Sequence, residues 1–149
     1  MKRSTVGLLV GAGVGAVLAW VFRGRILGNT YDRYIILKTK NGRCDIDSQP
    51  ADVTLSSFRD DKIRWNISNP DPGGCPGRHE VCIGNWRLNG VPTNPPVRNA
   101  QGLCRPVDFG GPDKQILANI DRNAECGEYT YDVLIDDRVA VDPIVKLIL

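Results

Sequence analysis

The sequence predicts a mainly β protein: an antiparallel β-sandwich preceded by a single transmembrane α-helix. Three observations carry this. The chain is uncharged from Ser4 to Phe22, and a helix of about 20 apolar residues is what crosses a bilayer core. Beyond residue 25, apolar residues recur in short period-two runs with scarcely any helical periodicity. Those runs are separated by clusters of Gly, Pro, Asn and Asp, which break both helix and strand.

The first element, residues 1–25, reads as the membrane anchor. Lys2 and Arg3 precede the uncharged stretch and Arg23 and Arg25 follow it, with Trp20 at the level of an interfacial aromatic. A cleaved signal peptide is the competing reading, from the basic start and the small residues near Val17 and Ala19. Against it, the apolar run continues through Trp20, Val21 and Phe22. Gly7, Gly11 and Gly15 are four apart, with Ala19 next in the series, so on a helix they share one face. Small residues on such a face let a second helix backbone approach closely.

Residues 26–30 form a linker, and residues 31–149 are about 120 residues, one ordinary domain. "YDRYIILK" begins the first strand. "ADVTLSS" places Val53 and Leu55 on one face, and "KIRWNIS" does the same for Ile63, Trp65 and Ile67, with "FRDDK" as the turn between. Trp65 is the expected centre of the core. "SNPDPGGCPG" is loop, "HEVCIGNWRL" is strand, and "NGVPTNPPVRNAQG" is turn-rich, its prolines excluding a central strand. "DKQILANI" fits a strand or a single helical turn. "EYTYDVLID", a tight turn at Asp136 and Asp137, and "VAVDPIVKLIL" complete a β-rich carboxyl end.

Charge and cysteines bound the function. Of 19 basic residues, four flank the anchor, leaving 15 against 17 acidic ones, so the domain lacks the clustered basic excess of a nucleic-acid binder. Cys44, Cys75, Cys82, Cys104 and Cys126 all follow the anchor. In a small domain they indicate disulfides and an oxidising compartment, with two bridges and one leftover thiol; the pairing stays open. The positive-inside rule alone points the other way, since Arg23, Arg25, Arg33, Lys38 and Lys40 follow the anchor. That rule weakens for whole translocated domains, and the cysteines place the domain outside, periplasmic or extracellular.

The order of features in "PADVTLSSFRDDKIRWNISN", "HEV", "GEYTYDV" and a terminal hydrophobic strand resembles the cupredoxins, the Greek-key sandwiches of plastocyanin and azurin type. The resemblance covers Tyr31 to Leu149. It implies a copper site of two histidines, one cysteine and an axial methionine. His79 matches the first histidine ligand. The cysteine is expected where Val133 stands, and no histidine or methionine follows it. With His79 the only histidine and Met1 the only methionine, that set cannot be assembled within this chain.

Other chemistry is thinly represented. Cys75, His79 and Cys82 are close in sequence but lack a companion pair at zinc-site spacing. No Gly-x-Ser-x-Gly motif, Cys-x-x-Cys pair or Walker-type loop occurs. The pairs Asp60-Asp61 and Asp136-Asp137 fall in turns, where Asp bonds the local backbone. "NIS" at Asn66 matches a glycosylation acceptor on a strand end.

The function expected is therefore a non-catalytic, single-span accessory subunit of a membrane complex, respiratory or photosynthetic, without cofactor, nucleic acid or small-molecule substrate. Its glycine face packs on another subunit's helix, and its sandwich docks on an extracytoplasmic partner through Asn69 to Gly77 and Asn89 to Gly102. The alternatives are a membrane-tethered copper electron-transfer domain with an unusual ligand set and a homodimeric receptor or adhesion module.

Overall fold

The computed structural model describes residues 28–46, 52–141 and 143–149. Eleven strands follow in chain order: β1 (Thr30–Lys40), β2 (Arg43–Ile46), β3 (Val53–Ser56), β4 (Lys62–Ser68), β5 (Arg78–Leu88), β6 (Val91–Pro92), β7 (Cys104–Asp108), β8 (Lys114–Asn119), β9 (Gly127–Ile135), β10 (Arg138–Val141) and β11 (Ile144–Ile148). One sheet has the order β2-β1-β4-β8. The other runs β3-β11-β9-β5-β6, with β10 paired to β9 and β7 to β5.

Two parts of the expected fold class need correction. The sheets are mixed, not antiparallel throughout: β1 runs parallel to β4, from Thr30 opposite Lys62 to Ile36 opposite Ser68, and β11 runs parallel to β3. The chain leaves the first sheet after β2, contributes β3 to the second, and returns beside β1 in the same direction. Side chains alternate across a strand whichever way its neighbour runs, so the period-two pattern carries no information on direction. The single transmembrane helix is not part of the described fold either. Among the described residues no helix is long and apolar enough to cross a membrane, and helical structure is confined to one 3-10 turn, Ala100–Gly102. The anchor expected over 1–25, with Gly7, Gly11, Gly15, Ala19, Lys2, Arg3, Trp20, Arg23 and Arg25, lies outside the described residues.

The inward residues of both sheets form one core. Ile35, Leu37, Ile63, Trp65, Ile67 and Ile116 come from the first sheet, facing Leu55, Val81, Tyr131, Val133, Ile135 and Leu147 of the second. Trp65 is fully buried, stands edge-on to Tyr131 with ring centroids 5.9 Å apart, and donates its indole N–H to the Tyr131 hydroxyl at 3.1 Å. That bond satisfies a donor whose burial would otherwise cost stability.

Strand direction defines two ends. The β1–β2 turn at Asn41 and Gly42, loop 69–77 and the β9–β10 turn at Asp136 and Asp137 gather at one, termed distal. The start of the described chain at Gly28, the β3–β4 turn over 57–61, the β5–β6 turn and Ile148 gather at the other, termed proximal.

Candidate functional site

The distal end is built from segments that sequence alone leaves as loops. Asn41 and Gly42 turn β1 into β2 with φ of 51° and 73°, and Asp136 and Asp137 turn β9 into β10 with φ of 49° and 62°. Asn, Asp and Gly tolerate this left-handed backbone better than other residues do. Loop 69–77 lies between these turns and is clamped from several sides. Asn69 is buried, accepts from the Cys75 amide at 2.6 Å and donates to the Cys75 carbonyl at 2.9 Å, closing the loop on itself. Thr39 of β1 donates its hydroxyl to the Gly74 carbonyl at 2.9 Å and its amide to the Gly73 carbonyl at 3.2 Å. A Cβ at Gly74 would sit 2.3 Å from the Asn69 side-chain oxygen, so the loop needs glycine there.

The Cys44–Cys75 disulfide fixes the same loop to β2. Cys82 and Cys104, directly opposed on β5 and β7, form the second bridge, and Cys126 is free and exposed. The sequence left the pairing open because linear spacing does not report which strands become neighbours.

His79 ties loop 69–77 to the β9–β10 turn. Its Nδ1 lies 2.6 Å from an Asp136 carboxylate oxygen and its Nε2 lies 2.9 Å from the Pro76 carbonyl. Both partners are acceptors, so the pair of contacts is complete only in the imidazolium form. Burial of the ring works against that cation. The bond to Asp136 and then the bond to Pro76 outweigh it, and the imidazole pKa is raised. The Asp136 carboxyl is held below its usual range, first by His79, with the Glu80 amide adding a bond at 2.9 Å.

This geometry bears on each metal expectation. Neither His79 nitrogen is available without breaking the tie. Val133 is fully buried in the core at the position where the cupredoxin resemblance puts the copper cysteine. Cys75, His79 and Cys82 do not converge: the two cysteines belong to different disulfides. Among the described residues, Glu80, Cys82 and Cys104 bring three donor atoms within 4.8 Å, but the two sulfurs are bonded to each other. A disulfide sulfur is not a thiolate ligand. Asn66, the asparagine of "NIS", donates its side-chain amide to Asp32 at 3.0 Å.

Two clefts flank the expected docking loops. A cleft of about 590 Å³ separates the β1–β2 hairpin from the β9–β10 hairpin, lined by Lys40, Arg43, Asp45, Arg138 and Val139 among others. Arg138 reaches across it to the Cys44 carbonyl at 3.4 Å. Three cations against one carboxylate make it locally positive, although the domain as a whole is slightly acidic. Sequence reasoning missed this site because Lys40 and Arg43 are far from Arg138 along the chain, and only the meeting of the hairpins collects them. The second cleft, about 490 Å³, lies along the segment 89–102 between Trp86, Arg87, Pro92, Pro95 and Leu103. Among the described residues the buried Trp86 indole N–H finds no hydrogen-bond partner.

No known protein-family pattern matches the chain, and no curated protein matches it significantly.

Proposed function

We propose that this is a non-catalytic docking module: a disulfide-braced, cupredoxin-like sandwich, tethered to a membrane by the uncharged stretch 4–22 and presenting its distal end to an acidic surface of an extracytoplasmic partner subunit. The observation that carries the reading is the locking of three distal segments into one surface, two of which line the cleft of Lys40, Arg43 and Arg138. A surface already ordered before encounter loses little conformational entropy on binding, and a positive cleft steers acidic partners toward it. The two disulfides support an oxidising compartment. The engagement of both His79 nitrogens and of four cysteines supports a scaffold role for the residues that chemistry could otherwise use.

The test is gentle solubilisation of the full-length protein from its native membrane, followed by measurement of the mass and composition of the particle that carries it. The reading expects a larger assembly from which the double variant Arg43→Glu, Arg138→Glu drops out while remaining folded. A chain that runs alone, or an assembly indifferent to both substitutions, overturns it.

A further inference from the structure

At the proximal end several of the exposed side chains are large and apolar. Phe58 at the tip of the β3–β4 turn is 72% exposed, Ile148 is 47% exposed and Leu149 is 86% exposed. They are neighbours: the Ser57 amide donates to the Ile148 carbonyl at 3.1 Å, which sets Phe58 and Leu149 side by side at the end of β3 and β11. Val91, 65% exposed, lies at the same end on the edge strand β6. An end that collects several large apolar side chains differs from a surface on which they are scattered singly.

The described chain enters at this same end and is held there. The Asn29 amide donates to Asp61 at 2.9 Å, and the Asn29 carbonyl accepts from the Lys62 amide at 2.8 Å. Asp61 is fully buried and also accepts from the Ser56 amide at 2.7 Å, so a single carboxylate joins the entering chain to the turn that carries Phe58. Gly28 abuts the Asp60 backbone so closely that a Cβ there would lie 2.2 Å from its carbonyl. The uncharged stretch ends at Phe22. Five residues, 23–27, lie between it and Gly28, and the six steps from Phe22 reach at most about 20 Å even when fully extended.

From these observations we infer that the proximal end is a bilayer-docking surface: Phe58, Ile148 and Leu149 rest in the interfacial layer of the membrane that holds the stretch 4–22. The inference rests on the tether in the functional reading above. Four of the basic side chains at this end face acidic partners within the protein, Arg98 and Arg122 on Asp60, Arg59 on Asp61, and Lys146 on Glu128. Docking therefore depends on apolar insertion and is largely indifferent to anionic lipid, unlike a polybasic contact. Held this way, the domain stands with its cationic cleft facing away from the membrane.

The experiment uses the full chain in phosphatidylcholine vesicles. In a Cys126→Ser background, an environment-sensitive fluorophore is attached at Phe58→Cys or, as the distal control, at Val139→Cys. Both sites are exposed, so folding is checked by retention of the two disulfides. With nitroxide-headgroup lipid present, the label at 58 is expected to be quenched at least threefold more than the label at 139, with little change when a third of the lipid is anionic. Equal quenching at the two sites, in protein that floats with the vesicles, overturns the docking surface and leaves the tether standing. Failure to float overturns both. A label at 58 shielded from aqueous iodide but untouched by the lipid nitroxide shows a protein covering this end, and also overturns the inference.

Discussion

At the distal end the Cys44–Cys75 bridge, the buried Asn69 amide and the His79–Asp136 pair fasten three segments together, and two of them line a positive cleft. At the proximal end one buried carboxylate, Asp61, fixes the entering chain, and Phe58, Ile148 and Leu149 are left uncovered by the protein. A soft, uneven, deformable medium needs little shape from its partner, whereas a specific protein contact needs fixed geometry. The contrast in bracing thus mirrors the contrast in what each end is proposed to meet.

The largest test of that contrast removes the distal brace. Replacing Cys44 and Cys75 with Ala, whose bridge closes a sequence separation of 31, is expected to cost about 3–4 kcal/mol by the loop-entropy relation. Denaturant unfolding reads the cost, and hydrogen exchange should show the added opening at 39–45 and 69–77, with 57–61 unchanged. At the proximal end, Asp61→Ala leaves the Asn29 and Ser56 amides without their shared acceptor. The expected loss is about 2 kcal/mol, measurable by thermal unfolding, and it should fall short of the disulfide loss.

His79 gives a smaller, pH-dependent effect. Its pKa in the folded protein is raised above the ordinary 6.5. The tie therefore contributes in full below that value and is lost as pH rises through the higher folded one. His79→Ala should cost about 1 kcal/mol near pH 6 and clearly less at pH 9, so the stability difference between wild type and variant narrows with rising pH. A difference that widens contradicts the assignment of His79 as a cationic cross-tie. Smallest of all, Phe58→Ser should change stability by less than about 0.5 kcal/mol, because Phe58 packs on little of its own protein; its effect should appear only with lipid present.

Much of the sandwich was legible in the sequence, since strands that bury one face advertise it by alternation. "KIRWNIS" gave β4 with Trp65 at its centre, and "EYTYDVLID" gave β9, in which the structure buries Tyr129, Tyr131, Val133 and Ile135. β2 and β7 were not legible. "RCDI" is too short to show a period, and "CRPVD" carries Pro106, which is accommodated because β7, among the described strands, pairs with β5 alone. Strand direction was invisible for the reason that pleating is the same in parallel and antiparallel pairs. Of the candidate site, His79 was noticed as the only histidine, but its partners Asp136 and Pro76 meet it only through folding. The cationic cleft and the apolar end are likewise products of topology: each gathers residues from hairpins distant in the chain.

The most direct measurement places a photo-crosslinking residue at 139 or at 58 of the full chain in its native membrane. The account predicts discrete protein adducts from 139 that Arg43→Glu with Arg138→Glu abolishes, and predominantly lipid adducts from 58. Protein adducts from 58 with none from 139 would contradict it.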